Sequence, residues 1–439
     1  MKNNSIYSFI ILWLGQSFSL IGSRITTFAL IFWTWDSTSQ ASSLSLLWFF
    51  QQLPQIFVAP LAGYLVDRCD VKGTLRTRKL LMILGDLVAV LSTIFLLFQQ
   101  LNQQLTITDL YITTFINNCF GSIQELAYTT TIPLMIPSHQ FDRANSLEFL
   151  SGYGSRIIAP AIAGILYPLI NLQGILMVDI GTFFLALITI YFVQIPSSNN
   201  HKNQENLVTS NYHKNAILLF TEIKSSYQYI KNNKLLKNLL IITCLFQFFH
   251  DLGDSIYAPL ILARTNNDQI IYSHIATSAG IGGVIGALFI VTKGGFSHPM
   301  KGVFIGMIGA GVSKIVFGFS NVYFIWIIAQ FFSSFHFPIL GSAETTIWLR
   351  ETPLNSQGKI LAFQRMGILI FSLIAYSLGG FLADYFFVPL MTQENIFSFV
   401  FGMGKSAGIS LLYTLSAIAL FLIGLWSWYL STKNNQLSQ

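Results

Sequence analysis

Charged residues are scarce in this sequence. Only 10% of its 439 residues are Asp, Glu, Lys or Arg, whereas 53% are hydrophobic and the mean hydropathy is +0.59. Soluble domains carry about 25% charged residues, so a water-soluble enzyme is excluded. Cysteine is also rare, and Cys69, Cys119 and Cys244 show neither disulfide nor metal-binding spacing. We therefore expect no metal and no cofactor.

Nucleotide and nucleic-acid signatures are missing as well. No GxxxxGK[ST] motif occurs, so ATP-driven pumping by this chain is not supported. The net charge is +6, but the 24 basic residues form short clusters between apolar runs, which argues against nucleic acid as a partner. The membrane is the expected partner instead.

Long apolar runs fill most of the chain. Runs of about 20 residues span a bilayer, and only helices satisfy so much backbone in lipid. The first run is too long for a signal peptide and is expected to remain as a helix. We predict an all-α polytopic membrane protein with twelve spans, at residues 6–35, 41–66, 79–98, 108–134, 145–169, 172–194, 236–262, 272–292, 301–320, 322–347, 360–383 and 405–430.

The distribution of basic residues predicts the orientation. Most of the 24 Lys and Arg residues fall on the side that holds the N-terminus, whereas only Arg264 and Lys405 fall on the other side. Because positive loops are retained in the cytoplasm, we predict that both termini are cytoplasmic in a multi-pass protein of the plasma (inner) membrane.

A polar stretch divides the chain into two sets of six spans. The segment PSSNNHKNQENLVTSNYHKN cannot bury a core. We predict an N-terminal six-helix bundle at 1–195, a cytoplasmic linker with an interfacial helix at 196–235 and a C-terminal six-helix bundle at 236–439. A simple tether is the alternative interpretation of the linker.

Several local motifs carry a family resemblance. The segment PLAGYLVDR at 60–68 and the basic run RTRK at 76–79 resemble the loop between helices two and three of the major facilitator superfamily. The segments FDRANSL, NSQGKILAFQRM and GGFLADYFFVPLM resemble the branch that contains macrolide-efflux proteins and the enterobactin exporter. The resemblance implies the major facilitator fold, with twelve helices in two six-helix bundles.

The same resemblance implies a gating motif. It implies that Gly63 permits close helix packing, that Asp67 lies against the N-terminal end of a helix in the opposite half, and that Arg68 joins a cytoplasmic charge network with Arg76 or Arg78. A carboxylate at a helix N-terminus is favoured by about 0.3–1 kcal/mol. Such a latch would stabilise one access state; a basic loop that only fixes topology is the alternative.

Ionisable residues inside the spans are candidate site residues, because each costs about 2.5–3.5 kcal/mol on insertion scales. In the superfamily, helices one, four, seven and ten line the central cavity. On the matching spans this sequence carries a set that we predict to contact substrate or to couple protons: Arg24, Glu125, His250, Asp251, Asp254 and Glu344.

Spacing in span seven favours proton exchange. Asp251 and Asp254 share a helical face, as do His250 and Asp254, and two carboxylates on one face resist simultaneous ionisation. Three alternatives stay open: the aspartates line a pore without titrating, Glu344 is solvated at the cytoplasmic end, and Arg24 only neutralises Glu125. We expect structural pairing or snorkelling for the other embedded charges, Asp86, Arg156, Asp179, Lys314 and Arg365.

These patterns favour a secondary active transporter rather than an enzyme. The preferred interpretation is a monomeric, proton-coupled exporter of small amphipathic molecules, such as a drug, a macrolide-like compound or a siderophore, that works by alternating access. A proton-symport importer has the same architecture. A membrane enzyme or a non-transporting receptor is the alternative from another class. The expected partners are the lipid bilayer, a small-molecule substrate and protons.

Overall fold

The apolar runs form helices. The computed structural model describes residues 4–71, 75–137, 140–193 and 215–436, except for the side chains of 4–5, 59–71, 75–77, 134, 142, 215–222, 355 and 433–436. The first five helices are α1 (Asn4–Thr38), α2 (Ala41–Val71), α3 (Leu75–Leu101), α4 (Ile107–Met135) and α5 (Phe141–Phe192). The next eight are α6 (Asn215–Asn232), α7 (Lys234–Ser255), α8 (Tyr257–Arg264), α9 (Gln269–Lys293), α10 (Pro299–Phe319), α11 (Tyr323–Glu351), α12 (Gln357–Leu382) and α13 (Lys405–Gln436).

The helices are long enough to cross a bilayer. Among the described residues, nine helical segments have the length and hydropathy of a membrane span. One of these, Arg143–Phe192, has 50 residues, which is enough for two crossings. With α2 at 31 residues and α4 at 29, the helices provide the twelve predicted crossings.

Helix α5 contains the predicted boundary between spans five and six. Asn171 interrupts the helix with φ 53° and ψ −174°, a left-handed φ that asparagine tolerates better than most residues. Pro168 lies one turn earlier and cannot donate a backbone hydrogen bond. The break therefore falls in the gap between the predicted ends at residues 169 and 172.

The predicted span at 236–262 is confirmed as one membrane-length segment, Lys234–Arg264, but it contains a break. Helix α7 ends at Ser255, Ile256 interrupts it, and α8 begins at Tyr257. Pro259 explains the break, because a proline within a helix lacks the N–H that would bond the carbonyl of Ser255 and its ring clashes with that carbonyl. The interruption comes two residues after Asp254 and so lies at the candidate site.

The chain forms two compact units. Unit 1 comprises Met1–Thr34 and Phe49–His213, and unit 2 comprises Trp35–Trp48 and Lys214–Gln439. In unit 1, α3 packs against α4 and α5; in unit 2, α10 packs against α11 and α13, and α7 against α12 and α13. Large apolar side chains such as Leu169 and Val291 are 70% and 76% exposed, as expected for surfaces that contact lipid.

Candidate functional site

The end of α7 carries a buried carboxylate with several hydrogen-bond donors. Asp251 is 3% exposed. The Gln247 amide, one turn earlier on the same face, donates from Nε2 to Oδ1 at 2.8 Å and to Oδ2 at 2.9 Å. The Tyr376 hydroxyl on α12 donates to Oδ1 at 3.4 Å. Donors from two helices therefore hold this carboxylate in place.

His250 contacts Asp251 rather than Asp254. Its Nδ1 lies 3.0 Å from Asp251 Oδ1, so its polar contact is with the neighbouring residue and not with Asp254, whose helical face it was predicted to share. The imidazole also packs against aromatic rings, with centroid distances of 4.6 Å to Phe337 and 6.5 Å to Phe246. These rings form an apolar wall beside the polar cluster.

Asp254 has a different environment from Asp251. It is partly buried, and among the described residues no hydrogen bond to its carboxylate is present. The groups that interact with it electrostatically come from five other helices of unit 2: Tyr257, Tyr272, Lys314, Tyr376 and Tyr413. The carboxylate thus faces one cation and four phenols.

Lys314 was not among the candidate site residues of the sequence interpretation. Structural pairing or snorkelling was expected for it, and its side chain is 5% exposed, which agrees with pairing inside the protein. The ammonium lies 5.7 Å from the centroid of the Tyr413 ring and interacts with both Asp254 and Asp251. A buried ammonium group loses its hydration. The two aspartates and the tyrosine ring compensate for that loss inside the protein.

Glu344 lies inside unit 2. Its Oε1 accepts a hydrogen bond of 3.0 Å from Gln364 Nε2, which links α11 to α12. Thr243 and Trp348 also neighbour its carboxylate. Glu344 is thus partly buried and hydrogen-bonded within unit 2, and its contact with substrate stays a prediction.

In unit 1, Asp86 of α3 and Asp179 of α5 are buried carboxylates. The Asp86 side chain is 1% exposed and accepts hydrogen bonds from the amides of Gln16 at 3.3 Å and of Gln124. Gln124 also donates to Gln16 Oε1 at 3.3 Å. The expected structural pairing of Asp86 thus uses amide partners from α1 and α4.

Arg24 and Glu125 do not neutralise each other. Both side chains are described, and no ion pair joins them; the nearby charge that acts on Arg24 is that of Arg156. Arg156 itself lies 5.7 Å from the ring centroid of Tyr153. Glu125 is exposed on α4. The alternative in which Arg24 only neutralises Glu125 is wrong, and a contact of either with substrate stays a prediction.

Most of the gating motif lies where only the backbone is described. Gly63, Asp67 and Arg68 fall in α2 and Arg76 falls in α3, but their side chains lie outside the described residues. Arg78 is 7% exposed and donates from a terminal guanidinium nitrogen to the Thr130 carbonyl oxygen at 2.5 Å. The motif's gating role stays a prediction.

A further carboxylate of unit 2, that of Asp384, lies at the N-terminus of α2. Asp384, in the π-helical turn Ala383–Phe387 that follows α12, accepts hydrogen bonds from the backbone N–H groups of Ala41 at 3.1 Å and Ser42 at 2.7 Å. Ser45 hydrogen-bonds to the Tyr376 carbonyl oxygen. An acid at a helix N-terminus complements its dipole. Sequence reasoning missed this contact because the residues are more than 300 positions apart.

Comparisons with known proteins agree with this architecture. The family model described as Major Facilitator Superfamily matches residues 12–296. Macrolide efflux protein A of Streptococcus pyogenes is 23% identical over 387 residues, 86% of this chain and 91% of that protein. The uncharacterized MFS-type transporter YfiS of Bacillus subtilis is 22% identical over 366 residues, 79% of each chain. The solved structure of the POT family transporter PepTSo gives a TM-score of 0.68 at 12% identity and covers 99% of both chains.

Proposed function

The chain belongs to the Major Facilitator Superfamily, and we propose that it exports small amphipathic molecules in exchange for protons. The observation that carries the proposal is the cluster of Asp251, Asp254 and Lys314 inside membrane-spanning helices of unit 2. Ionisable groups at such positions are expensive to insert and are generally functional. The family membership favours transport over catalysis.

The substrate class is proposed from the relatives and from charge. The name of the Streptococcus pyogenes relative indicates macrolide efflux, so macrolide-like compounds are the first candidates. Drugs, siderophores and other secondary metabolites of amphipathic character are the next. The cluster contains two carboxylates and one ammonium, which suits a substrate with a positive charge.

The mechanism that we propose is alternating access. A carboxylate of the cluster binds a proton on one side of the membrane and releases it on the other, and substrate binding is favoured when the carboxylate is ionised. Arg24, Glu125 and Glu344 are proposed as further substrate contacts. We also propose that the protein acts as a monomer in the plasma membrane with both termini in the cytoplasm.

An efflux panel in cells tests this function. Cells with and without the chain are loaded with macrolides, other amphipathic drugs and siderophores, each in the presence and absence of a protonophore. We expect the chain to lower the accumulation of at least one compound, and the protonophore to abolish the difference. Unchanged accumulation across the panel would contradict export, and raised accumulation would favour the proton-symport importer.

A further inference from the structure

The two aspartates of the α7 cluster differ in their hydrogen bonding. Asp251 accepts two hydrogen bonds from Gln247 and one from Tyr376, and it contacts His250. Each of these interactions favours an ionised, acceptor-only carboxylate. A proton on Asp251 would have to displace donors that already occupy its oxygens.

Asp254 has no such set of donors, yet unused donors lie near it. The hydroxyl oxygens of Tyr257 and Tyr413 are buried and have no hydrogen-bond partner in the described part of the chain. Both tyrosines interact electrostatically with Asp254. Buried polar groups without partners are costly, so two unsatisfied hydroxyl groups lie within electrostatic reach of Asp254.

The charges around Asp254 fix how many protons the cluster takes. The titratable groups that face it are Tyr257 on α8, Tyr272 on α9, Lys314 on α10, Tyr376 on α12, Tyr413 on α13 and, on its own helix, Asp251. Tyrosines are neutral near pH 7. The two aspartates, when both are ionised, and Lys314 together carry one net negative charge, which a single proton or a single substrate cation neutralises.

We infer that Asp254 is the carboxylate that exchanges its proton, that Asp251 stays ionised, and that Lys314 is a positioning residue that limits the cluster to one exchanged charge. This inference rests on the proposed proton-coupled transport and identifies its site. In the exchange step, the O–H bond of Asp254 breaks as an O–H bond to a water molecule forms, and the carboxylate remains to interact with Lys314 or with a cationic substrate. The electron pair of the broken bond stays on the carboxylate, and no oxidation or reduction occurs.

Infrared difference spectroscopy of the purified full-length protein in lipid tests the assignment without substrate. The C=O stretching band of protonated carboxyl groups is recorded as a function of pH for wild type, Asp254→Asn and Asp251→Asn. We expect Asp254→Asn to remove a pH-dependent band that Asp251→Asn retains. Asp254→Glu serves as a second variant, because it should restore the band at a shifted frequency. Loss of the band in Asp251→Asn alone would overturn the inference.

Two further variants test the roles of Lys314 and His250. In Lys314→Gln, the Asp254 band should persist to higher pH, because the cation that favours the ionised form is gone. Lys405→Gln, which removes a lysine that faces Asp384, is the matched control and should leave the band unchanged. The band should also survive in His250→Gln, because an imidazole contributes no carboxyl C=O stretch; its disappearance there would show that protonation of the carboxyl group depends on His250 and would overturn the inference.

The failure of the inference and the failure of the proposed function have different signatures. Vesicles that show proton-driven flux in wild type and equally in Asp254→Asn would contradict the assignment but support proton coupling. Vesicles in which a proton gradient drives no flux would contradict the proposed function, whereas the spectra report the charge states independently of transport. Asp86→Asn is the control for a buried carboxylate outside this cluster and should leave the Asp254 band intact.

Discussion

Two partly buried cations, Arg264 and Lys79, bond to carbonyl oxygens at helix ends. Arg264 donates to the carbonyl oxygens of Phe317 at 3.3 Å, Gly318 at 2.6 Å and Ser320 at 2.8 Å, at the C-terminal end of α10. Lys79 donates likewise to carbonyl oxygens at the end of α5. Because the last carbonyls of a helix lack partners and carry its negative dipole end, these contacts stabilise the helix termini.

The Arg264 contact predicts a loss of stability on substitution. Arg264→Gln should lower the free energy of unfolding by about 1–3 kcal/mol, because charged hydrogen bonds to three carbonyls are lost. Thermal unfolding of the purified protein in detergent measures the change. Arg350→Gln is the matched control, since Arg350 is an exposed residue of the last turn of α11. Equal melting temperatures for the two variants would contradict the capping role.

A second prediction concerns the amides around Asp86. Asp86→Leu removes the carboxylate that accepts from the partly buried amides of Gln16 and Gln124 and should destabilise unit 1 by about 1–3 kcal/mol. Asp86→Asn keeps one acceptor oxygen and should cost less. Chemical unfolding measures the free energy of unfolding of both variants and shows which is less stable. A leucine variant as stable as wild type would contradict the role of this network.

In unit 2, glycines allow two helices, α9 and α11, to pack closely against each other. Gly282 and Gly286 lie one turn apart on α9, and a Cβ at either would lie 2.9 Å from the carbonyl carbon of Phe331 or Phe335 on α11. Small residues spaced by four allow membrane helices to pack backbone against backbone. The GxxxG spacing is visible in the sequence, but its partner helix is visible only in the structure.

We therefore expect Gly286→Val to disrupt the α9–α11 contact. The backbone of Phe335 cannot move aside as a flexible side chain would, so the variant should express poorly or unfold at lower temperature. Gly283→Ala is the neighbouring control, because a Cβ there meets only the Ser334 carbonyl oxygen at 4.0 Å. Size-exclusion profiles and melting curves compare the two, and equal behaviour would contradict the prediction.

The contact of Asp384 with the N-terminus of α2 predicts how readily the backbone hydrogen bonds there open. Asp384→Asn removes the negative charge that accepts from the N–H groups of Ala41 and Ser42, so these amides should exchange with deuterium faster than in wild type. Hydrogen–deuterium exchange of a peptide that contains both residues measures the effect. Glu394→Gln, at an exposed glutamate of the same unit, should leave the rate unchanged, and equal rates in both variants would contradict the contact.

For the whole molecule, apolar run length predicted most of the fold. The span limits agreed with the helix ends within a few residues, because bilayer thickness fixes helix length. The break at Ile256 was missed, although Pro259 was a local signal for it. The inward position of Lys314 was not predictable, because nothing in span nine indicates that Asp254 and Tyr413 lie beside it. Side-chain partners depend on tertiary packing, which periodicity does not encode.

Proton-driven transport by the full-length protein in liposomes tests the central claim most directly. A radiolabelled macrolide is supplied outside vesicles with an acidic lumen or with an alkaline lumen, for wild type and for Asp254→Asn. Exchange against protons predicts accumulation in acidic vesicles only, abolished by a protonophore and by Asp254→Asn. Accumulation in alkaline vesicles would show symport instead, and accumulation that ignores the pH gradient would contradict proton coupling.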